Sequence, residues 1–390
     1  MESYKKYMEV DLRALRRNYE TIRREAGVPV MAVVKGDAYG HGAKEVALTL
    51  QEAGVKWFGV EFLEEAVELR EAGIEGRVLC FTGPVTREDC EIFIEKDVTP
   101  TIYNLDRADL LNKTAARRGV SCRVHLKFDT GMGRFGFLYE DLDRVIDGLR
   151  SFSHLIYEGA YTHFAEAFAK RPDYTLYQLS VFQRILGRLE QSGINVAIRH
   201  AANSVAAMDF PEARLDMVRV GSALYGATMF KNPSVRLERV ARLKVRIIDV
   251  KSLPRGSYIG YGRSYRTTGD MVIGILPVGY FEGLKVQRRN NTFTVVGLLR
   301  NIYHEIRDFL NPVPLVFMDG RPLRILGRIG LQLTAVDLTG TGAGVGDEVT
   351  VAIDPVYFKY GNRLYTESRD VQEGLPAELE KGIIESGGAK

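Results

Sequence analysis

Cysteine is scarce. Cys80, Cys90 and Cys122 are the only three among 390 residues, and no CxxC pair occurs. An odd number without close spacing argues against a disulfide framework or a zinc–thiolate site. Histidine is also sparse, with 6 in all, so no metal centre is expected, although one or two catalytic histidines remain open. No apolar run is long enough to span a bilayer. The opening MESYKKYMEV has no apolar signal core, so the expectation is a cytoplasmic protein without a membrane partner. Charge of one sign is missing too: 53 basic residues meet 50 acidic ones, for a net +3. That balance gives no electrostatic reason for a nucleic-acid partner.

What is present is a globular composition, 45% hydrophobic and 26% charged. The chain is long enough for two domains, or for one large α/β barrel with an appendage. Its first part alternates short apolar runs with segments of helical period. The runs begin at Val28, Trp57, Arg77, Val98, Ser121, Leu155, Asn195 and Leu215. They are apolar over most of their length, as parallel strands buried on both faces are. Eight such units in series predict a closed (β/α)₈ barrel over 1–236, with a doubly wound open sheet as the competitor. Near Asn232-Pro233 the pattern changes to β-rich runs punctuated by Gly and Pro. This predicts a mostly β domain over 237–390. One segment within it, LRNIYHEIRDFLNP, reads as a helix ending at Asn311-Pro312, and the tail after Asp370 reads as frayed.

In a barrel, reactive side chains sit where strands end at the C-terminal face. The first run ends in AVVKGDAYGHGA, placing Lys35 at the mouth. Partial desolvation there makes a lysine a nucleophile or base, and a snorkelling strand-end lysine is the bland alternative. The fifth unit continues as KFDTGMGRFG, where glycines allow close backbone approach and Arg134 offers a planar fork for a carboxylate. His163 in YTHFA is open to a packing role. In HAANS, Asn203 and Ser204 cap a helix or hold an anion. The loops after strands seven and eight, the usual phosphate site of a barrel, contain Ser204, Gly221 and Ser222.

Together, AVVKGDAYGHGA, KFDTGMGRFG, YTHFA, HAANS and RVGSALYG, followed by IGYGRSY and PVGYFEG, resemble the alanine racemase family, fold-type III pyridoxal-phosphate enzymes with a barrel and a β-rich C-terminal domain. The resemblance runs from MEVDLRALRRNY into the β domain. It implies pyridoxal 5'-phosphate as cofactor, Lys35 as the cofactor lysine and one base, and Tyr261 of the partner subunit in a homodimer as the other base, with Tyr265 the nearby alternative that lacks the flanking glycines. Tyr39, Ser204, Gly221 and Ser222 then hold the phosphate, with Asn203 beside them. Arg219 faces the pyridine nitrogen with His200 behind it, and His163 lies near the cofactor ring. Arg134 reaches the substrate carboxylate, and Tyr280 lines the mouth through which substrate passes. Lys127 matches a lysine that some relatives carry carbamylated. An unmodified Lys127 paired with a carboxylate such as Asp129 is the alternative.

Three departures stand out. The family's Tyr-Ala-Asp-Gly is here Tyr280-Phe281-Glu282-Gly283, and the stretch from Tyr280 to Leu331 is longer than usual. The family's Met-Asp pair is here Leu331-Gln332. The Met supplies a backbone N–H, so Leu331 still serves, but the acidic partner is lost. The C-terminal tyrosine that reaches the phosphate has Tyr365 as its best candidate and Tyr360 as the second. The implied activity is interconversion of L- and D-alanine, for D-alanine biosynthesis. Its rivals are a racemase of another or broader set of amino acids, a fold-type III decarboxylase and a non-catalytic pyridoxal-phosphate carrier.

Overall fold

The eight apolar runs form eight parallel strands in the computed structural model, which describes residues 4–169, 172–286, 295–310, 313–359 and 361–367. They are β1 Val30–Val33, β2 Trp57–Val60, β3 Arg77–Cys80, β4 Thr99–Ile102, β5 Cys122–Lys127, β6 Leu155–Tyr161, β7 Ile198–His200 and β8 Val218–Val220. Their order is β7-β6-β5-β4-β3-β2-β1-β8. The seam between β7 and β8 is bridged by two backbone bonds, Asp216 N to Arg199 O and Arg219 N to Ala202 O, both 3.0 Å. Every residue of β1, β4 and β8 is buried. The outer face of such strands meets helices and the inner face meets the barrel filling, which is why no polar alternation appears in the sequence. Met31, Leu79 and Met217 form one fully buried cluster. The intervening helices start and stop on local signals. Asn104 caps Leu105–Arg118 by accepting from the backbone N–H groups of Asp106 and Arg107, and left-handed Gly119 ends that helix.

This barrel unit spans Ala14–Glu238. A second unit gathers the described residues before Ala14 and after Glu238. Its larger sheet runs in the order Arg321–Leu323, Val316–Met318, Glu348–Val351, Ala241–Arg246, Lys6–Asp11, Asn362–Thr366. Residues 6–11 thus belong to the β unit, whereas the sequence pattern groups them with the barrel. The strand buries Met8 and Val10 by pairing antiparallel to Ala241–Arg246 and parallel to Asn362–Thr366. Partners more than two hundred residues away leave no local trace. A four-stranded sheet joins Asp249–Leu253, Met271–Leu276, Thr334–Asp337 and Ile325–Leu326. The expected helix is present as Val295–Leu310. Asn311, Pro312 and the tail after Asp370 lie outside the described residues. No described helix is long and apolar enough to cross a membrane.

Candidate active site

Lys35 leaves the end of β1, where Val34 N donates to Gly59 O. Its Nζ donates to Glu61 Oε2 at 2.7 Å. The backbone then turns left-handed for four residues, with φ of 63° at Gly36, 54° at Asp37, 52° at Ala38 and 55° at Tyr39. Each non-glycine residue there costs about 1–2 kcal/mol, so the turn needs support. Glu65 accepts from Gly36 N at 2.5 Å and from Glu61 N at 2.8 Å. Asp37 Oδ1 accepts from Ala43 N at 2.8 Å. His41 Nδ1 lies 2.9 Å from Ala38 O, and its ring stacks on Tyr225 at 4.4 Å. The turn brings the Tyr39 hydroxyl against Gly221, where an added Cβ would lie 2.5 Å from that oxygen.

Ser204 and Gly221 meet at the same place. Asn203 caps Ser204–Asp209 by accepting from Ala206 N. The Ser204 hydroxyl instead turns to the following loop and accepts from Gly221 N at 3.1 Å. Ser222 opens the short turn Ser222–Tyr225.

Arg219 is 4% exposed and makes five hydrogen bonds. Nη1 donates to His200 Nδ1 at 2.9 Å and to His200 O at 3.0 Å. Nη2 donates to Thr162 O at 2.7 Å and Ala201 O at 2.9 Å, and lies 3.3 Å from His163 Nδ1. Guanidinium only donates, so His200 Nδ1 is an acceptor and its Nε2 carries the proton. That proton faces His125 Nδ1 at 2.9 Å. His125 Nε2 in turn faces Glu158 Oε2 at 3.7 Å. Burial first, then the Arg219 charge, holds His200 and His163 well below the ordinary histidine value, so both are neutral.

Lys127 ends β5, buried, with Nζ 4.9 Å over the Tyr161 ring. Burial, then Arg219 and Arg134, lowers its pKa to about 7. The alternative pairing with Asp129 does not form: Asp129 accepts from the backbone N–H groups of Gly131, Met132 and Arg134. Arg134 is exposed on that loop.

In the β unit, Tyr261, Tyr280 and Leu331 come from neighbouring loops. Tyr280 N donates to Gly330 O and Phe281 N to Leu331 O. Arg328 N donates to Ser264 Oγ, tying the Tyr261 turn to the same stretch. The three side chains are 77%, 52% and 50% exposed. Tyr265 packs in a core cluster beneath Arg324. The unusual Glu282 is structural, since it is buried, accepts from Gly279 N at 2.8 Å and pairs with Lys6. Gln332 is exposed. Tyr365 sits in the strand Asn362–Thr366 opposite Val10, and Tyr360 lies outside the described residues.

Three residues of this arrangement escape the sequence reading: Glu61, His125 and Glu158. Each is a polar residue inside or ending an apolar run, the signal that singles out Lys35. Among the described residues no cluster of three or more His, Cys, Asp or Glu is placed to hold a metal.

Comparison with known proteins gives one answer. The family model "Alanine racemase, N-terminal domain" matches residues 10–229, and "Alanine racemase, C-terminal domain" matches 240–356. An alanine racemase of Methanococcus maripaludis is 37% identical over 90% of this chain and 90% of its own length. Alanine racemase 1 of Caldanaerobacter subterraneus subsp. tengcongensis is 35% identical over 88% of this chain and 84% of its own. The crystal structure of alanine racemase from Streptomyces lavendulae superposes with a TM-score of 0.82 at 29% identity, covering 94% of this chain and 98% of that one. Barrel, β unit and both family models agree, and the chain belongs to the alanine racemase family.

Proposed function

We propose that the chain interconverts L- and D-alanine with pyridoxal 5'-phosphate, using Lys35 and the Tyr261 of a second subunit as bases on opposite faces of the substrate. The family is pyridoxal-phosphate dependent. The residues fit that group: the hydroxyls of Tyr39 and Ser204 meet at Gly221, where an added side chain would collide with Tyr39, and Ser222 follows in the same turn. When bound, the cofactor supplies an aldehyde for Lys35 and an electron-withdrawing ring.

The observation that carries the reading is the fixed Arg219. It stays charged even though burial lowers it to about 10, and it has no proton to give at neutral pH. Beside a bound cofactor Arg219 would donate a hydrogen bond and keep its own proton, so that the positive charge would stay on the protein. Lys35 holds and returns the Cα proton on one face. A tyrosine has an unperturbed pKa of about 10, so Tyr261 needs activation. As the lone chain leaves it 77% exposed, a second chain covering it supplies that environment in this reading. Arg134 and the Leu331 N–H orient the carboxylate, while His163, Asn203 and Tyr365 complete the cofactor's surroundings and Tyr280 lines the approach.

Lys127, with a pKa of about 7, has a neutral fraction near pH 7, and neutral amine is the form that adds CO₂. A carbamate there would give Arg134 a counter-charge, and a ¹³C carbamate signal after labelled bicarbonate would establish it. The free thiols of Cys80, Cys90 and Cys122 suit a cytoplasmic setting.

The deciding experiment incubates the loaded protein with L-alanine, L-serine and L-lysine and measures D-enantiomers and amines. Racemised alanine is the expected result. Amine release instead selects a decarboxylase, and no turnover a carrier. Mixing Lys35→Ala with Tyr261→Ala restores activity through hybrid dimers if the sites are shared.

A further inference from the structure

Lys35 and Glu61 emerge side by side from adjacent strand ends, with Nζ 2.7 Å from Oε2. The pair is built rather than a chance meeting of long side chains. Val33 is in register with Gly59. The Glu65 carboxylate accepts from Gly36 N and from the N–H groups of Glu61 and Phe62, so one group ties together the backbones that carry both partners. Both side chains are partly shielded, at 33% and 21% exposure, and Lys35 Nζ lies 5.8 Å from the Phe81 ring centroid. Asp129 is committed to the backbone of its own loop.

An ammonium is neither a nucleophile nor a base until it sheds a proton, and the nearest acceptor is Glu61. We propose that Glu61 is a catalytic proton carrier for Lys35. An N–H bond of the ammonium breaks with its electron pair left on Nζ, and an O–H bond forms on Oε2. The proton returns to nitrogen when Lys35 is released. This rests on the reading of Lys35 given above.

The test uses the cofactor-free full chain with added pyridoxal 5'-phosphate, trapping the product with borohydride at timed intervals and weighing the labelled peptide. Wild type should label at Lys35, and a label elsewhere overturns the reading of Lys35 and not merely that of Glu61. Glu61→Ala should capture the cofactor about 10²-fold more slowly, as loss of a general base does. Acetate in the buffer should restore part of the rate, which a packing role would not permit. Glu61→Gln, nearly isosteric, should be equally slow and covers the case in which the alanine variant does not fold. Glu61→Asp should retain more of the rate than either. Capture at the wild-type rate in Glu61→Gln, or slow capture that acetate leaves unchanged in a folded Glu61→Ala, overturns the proposal.

Discussion

In the barrel unit Arg219 and the histidines it holds are enclosed and hydrogen-bonded before anything binds: Arg219 is 4% exposed and His200 0%. In the β unit the corresponding candidates stand in solvent, with Tyr261 77% and Tyr280 52% exposed. The barrel groups cannot move without leaving buried donors or acceptors unpaired, so they are preorganised, and stability and chemistry depend on the same bonds. The β-unit groups cost the lone chain little, and on the proposed reading a second subunit completes their environment.

The sharpest way to break this contrast is Arg219→Ala. It strands the Thr162, His200 and Ala201 carbonyls and His200 Nδ1, and should cost on the order of 3–5 kcal/mol, read by urea unfolding. A loss below 1 kcal/mol would show that the network is not preorganised. Next comes pH. The buried histidines stay neutral while their unfolded counterparts take up protons near pH 6.5. The unfolded state therefore binds more protons, and stability falls as pH drops through and below that value. His200 and His163 should each contribute up to about 1.4 kcal/mol per pH unit. The slope of the urea midpoint between pH 7 and 5 should shrink in His200→Gln, and an unchanged slope would exclude His200 as a source.

Gly221→Ala should displace Tyr39 and weaken pyridoxal-phosphate affinity about tenfold, some 1.4 kcal/mol, measured by titrating the cofactor-free chain. Unaltered affinity would remove Tyr39 from the cradle. The smallest effect is expected in the β unit. Gln332→Asp should leave stability within about 0.5 kcal/mol while, on the proposed reading of the site, raising alanine turnover. Identical turnover across a substrate panel would make position 332 irrelevant to the reaction.

How much of this was legible in the sequence follows from locality. The eight strands, Lys35 at the mouth and the Arg219 strand are readable because apolar runs and strand ends are local signals. The N-terminal strand is misplaced by the sequence pattern because its partners, Ala241–Arg246 and Asn362–Thr366, lie far along the chain. Glu61, His125 and Glu158 matter through neighbours on other strands, and no spacing rule reports a contact 26 or 75 residues distant. Glu282 looks in sequence like a change at the site, but its pairing with Lys6 makes it structural. The left-handed turn Asp37–Tyr39 has little sequence signature beyond its flanking glycines and Asp37, because alanine and tyrosine do not ordinarily announce positive φ.

The claim that the barrel and the β unit each supply one base is tested most directly by α-proton exchange in deuterated water with Tyr261→Phe. That substitution keeps the ring and removes the proton carrier, so racemisation should fall by about 10²–10⁴-fold. Lys35 remains, so exchange from D-alanine should persist while exchange from L-alanine is largely lost. Equal loss from both enantiomers, or loss from neither, would contradict the account.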